Sequence, residues 1–531
     1  MRKRHPRTDS EHVKKADATG LESTLPAAFV TWFSDRGWSP RDHQLALLDL
    51  ARARRSALLI APTGAGKTLA GFLPSLVALS EAPNRKAGLH TLYISPLKAL
   101  AVDVKRNLET PIAEMGLKVR VETRTGDTPQ NRRLRQRRDP PDILMTTPEQ
   151  LALLLSYSDA GAFFDSLECV VLDELHALAN SKRGDLLALG LARLAVLAPA
   201  MRRVGLSATV AEPEELRRYL MPQREGYETL ADLVVAPSGA VPDIGILVPL
   251  EPDHDEGEVA RIPWSGHSAR HAMPAVYASI LKHKTTLVFV NTRSQAEFVF
   301  QELWRLNEDS LPIALHHGSL SAEQRRKVEA AMSAGTLRAV VCTSTLDLGI
   351  DWGEVDLVIC VGAPKGASRL AQRIGRANHR LDEPSRALLV PANRFEVLEC
   401  EAARAAATEG AQDGQVRRTG ALDVLSQHVL GRACSEPVSP DALYDEVRAA
   451  APYRHLPRET FDRIVDFVST GGYALKSYDR YARLRPMSSM TGDMRLRPAS
   501  PRVIQQYRMN VGTIVEAAMV KVRMVKAGRR P

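Results

Sequence analysis

The chain has 531 residues, 44% hydrophobic and 25% charged, and its 71 Lys and Arg exceed its 62 Asp and Glu for a formal net charge of +9. That length exceeds one hydrophobic core and predicts about three domains, while the composition is that of a soluble globular protein and the basic surplus fits a polyanionic partner without identifying it. Cys169, Cys342, Cys360, Cys400 and Cys434 stand far apart with no CxxC, which speaks against a disulfide framework or zinc site and suits a reducing cytoplasm; no apolar run or leader pattern points to a membrane.

Residues 1–25 read as a basic, mobile tail. Short apolar or β-branched runs then recur, each followed by a loop and a helical pattern: Ala57–Ile60, Thr91–Ile94, Val119–Thr123, Asp142–Thr146, Cys169–Leu172 and Arg203–Leu206. A second set comprises Thr286–Val290, Ile313–His316, Arg338–Cys342 and Leu357–Val361. Such alternation predicts an α/β protein with two parallel sheets. Between the sets, residues 235–268 are rich in Pro, Gly and acids and read as a linker with an irregular entry to the second lobe. From Thr419 the pattern turns helical, over Ala421–Cys434, Asp441–Ala450 and Arg458–Thr470, and then Gly471–Leu475 with Tyr478–Leu484 reads as a hairpin. Three helices and a hairpin suggest a winged helix. The expected domains are 26–232 and 233–415 for the two lobes, 416–487 for the winged helix, and 488–531 for the incomplete start of a β-rich domain.

The chemistry begins at Ala61-Pro62-Thr63-Gly64-Ala65-Gly66-Lys67-Thr68, between a predicted strand and a helical pattern. It matches the phosphate-binding loop except that Ala61 stands at the first glycine. Gly64 and Gly66 let backbone N–H groups turn toward a phosphate at a helix N-terminus. Lys67 reaches the β- and γ-phosphates and Thr68 ligates Mg²⁺. Asp173 and Glu174 end the run Cys169–Leu172, at the carboxyl edge where open α/β sheets bind ligands. Alone the acid pair is a solvated turn; with Lys67 it reads as a Mg·ATP site, Asp173 holding the metal shell and Glu174 deprotonating water.

Asp173-Glu174-Leu175-His176 also resembles the signature of superfamily 2 DExH helicases, and other segments fall in register with it. Gln44 resembles the adenine-reading Q motif and Ser207-Ala208-Thr209 resembles motif III. Phe289-Val290-Asn291-Thr292-Arg293 resembles motif IV. The run Cys342 to Asp351, with Thr343, Gly349 and Asp351, resembles motif V. Gln372-Arg373-Ile374-Gly375-Arg376-Ala377-Asn378-His379-Arg380 resembles motif VI. A cation delivered from the second lobe to the γ-phosphate suits Arg; Arg376 is the first choice and Arg380 the alternative, because His379 occupies the usual second arginine position. A surface arginine on a helix face is a better reading for Arg373 than for Arg376. Strand contacts are expected at Ser95, Pro96, Lys98, Thr125, Gly126, Thr147 and Pro148, and in the second lobe at Asn291, Thr292, Arg293, His317, Gly318 and Thr343, where hydroxyls, backbone N–H groups and bases suit phosphates. The arginine run Arg132–Arg138 reads as a solvated helix face rather than a binding patch.

Ile262–His267, His316–Ser321, Gly362–Gly366 and Leu422–His428 resemble the large helicase-related (Lhr) family, and Phe467–Leu475 with Tyr507–Ile514 resemble its bacterial ligase-associated DNA-damage-response branch. The resemblance covers roughly residues 27–527. It implies two RecA-like lobes, a winged helix and a β-rich domain, ATP and Mg²⁺ as cofactors, and 3′-to-5′ movement on single-stranded or tailed duplex DNA in repair. It also suggests a DNA ligase or nuclease partner and a nucleoid location. An RNA helicase, or a non-unwinding nucleic-acid clamp, are the competing readings.

Overall fold

The computed structural model describes residues 25–247 apart from 63, 83, 209, 225 and 238, then 269–347, 355–377, 384–411, 419–488 and 493–512. The first lobe holds β1 (Ala57–Ile60), β2 (Thr91–Ile94), β3 (Val121–Arg124), β4 (Ile143–Thr146), β5 (Cys169–Leu172), β6 (Arg202–Ser207) and β7 (Asp232–Val235). They form one sheet in the order β3-β4-β2-β5-β6-β1-β7, with every pair parallel. All residues of β1, β2, β4 and β5 are buried. Helices cover both faces of such a sheet, so its strands appear in sequence as continuous apolar runs.

The second lobe repeats the plan with β8 (Asp243–Ile246), β9 (Thr286–Val290), β10 (Ile313–His316), β11 (Ala339–Cys342), β12 (Leu357–Val361) and β13 (Arg386–Val390). Their order is β10-β11-β9-β12-β13-β8, again parallel throughout. Two boundaries shift from expectation. Strand β7 pairs with β1, so the first lobe runs past residue 232, and β8 adds an edge strand to the second sheet from within the expected linker.

The third unit packs helices Leu422–Ser435, Pro440–Arg448 and Arg458–Thr470 under a hairpin of β14 (Leu484–Ser488) and β15 (Met494–Pro498). The hairpin is therefore not the one expected over residues 471–484. Gly471 and Gly472 both take the left-handed conformation (φ 85° and 88°), which turns the chain away from an extended path. The hairpin also straddles the expected boundary at 487, and Pro501–Asn510 is a helix, with Tyr507 seated on Gly431. The strand pair and this helix pack against the Leu422–Ser435 and Arg458–Thr470 helices.

One apolar cluster runs through both the first lobe and this unit, joining Leu151, Leu186 and Leu189 to Val424, Leu425 and Phe461. Beside it, buried Arg193 lies 2.6 Å from Glu436 and 3.3 Å from Glu446, and Arg432 lies 3.0 Å from Glu446. A shared core makes lobe one and the winged helix a single packed body. All five cysteines are free and buried, and no described helix is long and apolar enough to cross a membrane.

Candidate active site

Parallel register aligns the carboxyl ends of each sheet along one edge, and strand order divides that edge in two. In the first lobe the adjacent strands β5, β6 and β1 lead into the acid pair, Ser207 and the phosphate loop. The adjacent strands β3, β4 and β2 lead into Thr125-Gly126, Thr147-Pro148 and Ser95-Pro96. The second sheet is divided likewise: β10, β11 and β9 lead into His317-Gly318, Thr343 and Asn291–Arg293, while β12 leads toward the helix Ala367–Ile374 that carries Gln372.

Gly64 (φ 79°) and Gly66 (φ 73°) hold left-handed turns in the phosphate loop, conformations that cost other residues about 1–2 kcal/mol. A Cβ on Gly66 would also stand 3.0 Å from the Gln44 amide nitrogen. Gln44 is buried and its Oε1 accepts the Arg41 N–H at 3.0 Å. Arg41 donates to the Gly64 carbonyl at 3.0 Å, and His43 Nε2 lies 2.9 Å from the Ala65 carbonyl. These braces by Arg41 and His43 escape sequence reading because only tertiary folding brings the Asp42–Arg52 helix to the loop. Lys67 Nζ donates to the Ala61 carbonyl at 2.9 Å, folding back along the loop. Burial pulls the Lys67 ammonium below its ordinary pKa, with Glu174 and Asp173 opposing the shift. Thr68 follows in the first helical turn and Pro62 is half-buried, while Thr63 lies outside the described residues.

Asp173 is buried; its Oδ1 accepts the Glu174 N–H at 2.9 Å and its Oδ2 accepts the Tyr93 hydroxyl. Burial, and then the neighbouring Glu174, push the Asp173 carboxyl above its ordinary range. Burial also pushes Glu174 up, but Lys67, His176 and Arg376 outweigh it and hold that carboxyl low. Glu174 itself has φ 47°, a left-handed conformation that a non-glycine residue adopts under strain. The Asp173 and Glu174 carboxylates here face the Lys67 ammonium and, from the second lobe, the Arg376 guanidinium. Among the described residues no group of three or more His, Cys, Asp or Glu forms a protein-only metal cage. A lone carboxylate at Asp173 and the Thr68 hydroxyl in the first turn after the loop are instead the sparse oxygen donors that suit Mg²⁺ shared with phosphates and water.

The two lobes meet at His176, whose Nε2 lies 2.7 Å from the Gln372 side-chain nitrogen and whose Nδ1 lies 3.1 Å from Ser207 Oγ. Burial lowers the His176 pKa against the pull of Glu174, whose Oε2 lies 3.5 Å from Nε2, and Nδ1 also accepts the Ala208 N–H at 3.4 Å. Arg376 is buried and donates to the Asp347 carbonyl at 3.1 Å, and its charge is felt by both Lys67 and Glu174. Arg373 is not the surface arginine expected: it is 1% exposed, donates to Asp347 Oδ1 at 2.9 Å and lies 4.8 Å from the Phe289 ring centre. Asp347 thus organises both arginines, a role no spacing in the sequence announces. Gly349, Asp351, His379 and Arg380 lie outside the described residues, as does Thr209.

On the other half of the edges, Gly126 and Lys98 are exposed, and Lys98 Nζ lies 3.2 Å from Asp127. Ser95 is buried with its hydroxyl bonded to the Leu97 backbone, so its side chain braces its loop. Thr125 and Thr147 are buried, and Thr147 precedes Pro148 at the start of a helix. Arg183, unread in the sequence, donates to the Pro96 carbonyl at 2.7 Å and to Glu149 Oε2 at 3.1 Å, tying two of these loops together. In the second lobe Asn291 donates to the Ala363 carbonyl at 2.9 Å, Thr292 caps the Arg293–Leu306 helix, and Arg293 donates to Ser319. His317 and Thr343 are buried, with His317 Nε2 3.2 Å from Glu297, whereas Gly318 is exposed.

Three family models match the chain: a DEAD/DEAH box helicase domain over residues 41–216, a helicase conserved C-terminal domain over 271–380, and the winged helix domain of large helicase-related proteins over 406–530. The chain is 36% identical over 97% of its length to an Lhr helicase/probable uracil glycosylase of Mycolicibacterium smegmatis, and covers 36% of that protein. It is 34% identical over 97% of its length to the Lhr helicase/uracil glycosylase of Escherichia coli, covering 37% of it. The chain thus spans little more than a third of these relatives. Its fold superposes on the structure of Mycobacterium smegmatis helicase Lhr bound to ssDNA and AMP-PNP with a TM-score of 0.79 and 35% identity, covering 93% of this chain and 63% of that one.

Proposed function

The chain belongs to the large helicase-related family of DExH helicases, and we propose that it is an ATP-dependent DNA helicase or translocase that moves 3′ to 5′ on single-stranded DNA in repair. The observation that carries this reading is the division of both sheet edges, which sets a nucleotide site beside a strand track and lets both span the same two lobes.

In this reading the backbone N–H groups of the phosphate loop and Lys67 grip the triphosphate, and Gln44 lies beside the loop that seats the nucleotide. Thr68 and Asp173 would hold Mg²⁺, which neutralises phosphate charge when bound. Glu174 orients a water and accepts its proton; its low pKa keeps it ionised for that task. Arg376 supplies positive charge from the second lobe. Gln372, at 2.7 Å from His176, links lobe closure to the acid pair. Lobe one and the winged helix share a core, so the second lobe is the element that swings. Each closing and opening then shifts Asn291–Arg293, Gly318 and Thr343 along the strand relative to Lys98 and Gly126.

The preference for DNA draws support from the mycobacterial relative with bound ssDNA, since phosphate contacts alone accept either backbone. Displacement of a labelled strand from 3′-tailed and 5′-tailed duplexes, with DNA and RNA tails in parallel, tests all parts of the reading. ATP-dependent displacement from the 3′-tailed DNA is expected. Displacement confined to 5′ tails overturns the direction, and displacement confined to RNA tails overturns the substrate.

A further inference from the structure

Strand β3 is the outer edge of the first sheet, and the helix Gln130–Arg138 that follows it is separated from the helix Pro501–Asn510 by an open groove of about 720 Å³. Arg124, Arg133, Arg137 and Arg508 line this groove together with Tyr157 and Leu134. The Arg137 and Arg508 guanidinium groups lie 3.7 Å and 4.3 Å from the Tyr157 ring centre. One carboxylate, Asp159 at 2.7 Å, offsets Arg137.

Among the described residues, the other three arginines donate only to main-chain carbonyls: Arg124 to Arg133 at 2.9 Å, Arg133 to Thr125 at 3.0 Å as well as Gly126, and Arg508 to Ser156 at 2.8 Å. In each of the three the Nε is buried without a hydrogen-bond partner among the described residues. Arg124 is 1% exposed. Burial, and then the charges of Arg133 and Arg137, bring its guanidinium down to about 10 against the opposite pull of Tyr157. Like charges crowded at low exposure are unfavourable unless an anion joins them. The outward arginines of the same helix are accounted for differently, since Arg132 and Arg135 both pair with Glu122. The helix therefore pairs both arginines of one face with a carboxylate, whereas on the groove face, among the described residues, Arg137 has one and Arg133 has none.

We propose that this groove is a second nucleic-acid site, which seats the phosphodiester backbone of the single strand where it leaves the Thr125–Asp127 loop. The inference rests on the reading of that loop as part of the strand track. Continuity favours a strand over a free anion, because Arg133 holds the Thr125 and Gly126 carbonyls with the same guanidinium that lines the groove. Its volume exceeds that of a lone phosphate, and Leu134, 45% exposed on the rim, offers an apolar surface for a base. Planar guanidinium groups suit bidentate contact with phosphate oxygens.

The test compares the affinity of the full chain for single-stranded DNA of about 8 and about 30 nucleotides across a salt series, lengths chosen around the span of typical single-strand sites. Arg508→Gln should weaken the longer oligonucleotide roughly tenfold and flatten its salt dependence, while the shorter stays within about twofold. Equal loss at both lengths, or none at either, overturns the groove. Wild-type protein that binds neither length removes the helicase reading itself and the groove with it. Arg508 also ties the winged helix to Ser156, so a second variant leaves the arginines intact. Leu134→Cys carrying a photo-crosslinker should capture the long oligonucleotide and not the short one, and capture of neither contradicts the proposal.

Discussion

Glu174→Gln should reduce ATP turnover by about 10²- to 10⁴-fold, the range of general-base loss, while ATP affinity stays nearly unchanged. Glu174 is ionised because Lys67, His176 and Arg376 outweigh the burial that opposes its charge, and it is aimed by a strained backbone at φ 47°. The amide keeps the shape and the hydrogen-bonding reach but accepts no proton. Lys67→Ala should behave differently, weakening both binding and turnover, since its ammonium meets the phosphates in ground and transition states alike. Nucleotide titration with steady-state kinetics separates the two. Unchanged turnover in Glu174→Gln would remove it as the base.

Arg376→Ala should lower turnover by about 10³-fold with the second lobe still folded, whereas Arg373→Ala should destabilise that lobe by about 3–5 kcal/mol. Only three residues before Arg376, Arg373 does different work. It is 1% exposed and anchors Asp347, itself 5% exposed, across 2.9 Å. Deleting it leaves Asp347 buried with Arg369 at 3.5 Å. Loss of that support also frees the Asp347 backbone that holds Arg376. Urea unfolding and nucleotide turnover, measured on both variants, distinguish the roles. Full stability with lost turnover in Arg373→Ala would transfer the catalytic charge to Arg373.

Much of this fold is legible in the chain because a parallel sheet buries both strand faces. Residues 57–60, 91–94, 169–172 and 286–290 are plain apolar runs, and the structure has strands at those residues. Strands β7 and β8 hide because they are sheet edges with exposed positions such as Val235 and Asp243, so burial does not dictate their composition. The hairpin is misplaced in sequence because Tyr473, which reads as a strand residue, is 97% exposed after two left-handed glycines. The strands themselves carry Pro486 and Pro498, which read as breaks.

The site divides in the same way. Lys67, Asp173, Glu174 and Gln372 are legible because chemistry fixes their type and spacing. Arg41, Tyr93, Arg183 and Asp347 serve by position alone, and their partners lie 23, 80, 87 and 26 residues away. Contacts of that span exist only once the sheets have formed. The arginine run at 132–138 shows the limit most clearly, since one face of that helix pairs with Glu122 and the other opens on a groove completed by Arg508.

In the proposed mechanism the nucleotide half and the strand half of the two sheet edges are coupled through closure of the second lobe on the body formed by the first lobe and the winged helix. Steady-state ATP turnover with and without single-stranded DNA tests it most directly. A several-fold rise is expected on adding DNA, because a strand gripping both lobes favours the closed site that holds Gln372 against His176 and Arg376 near Glu174. DNA that binds tightly while turnover stays the same would contradict it.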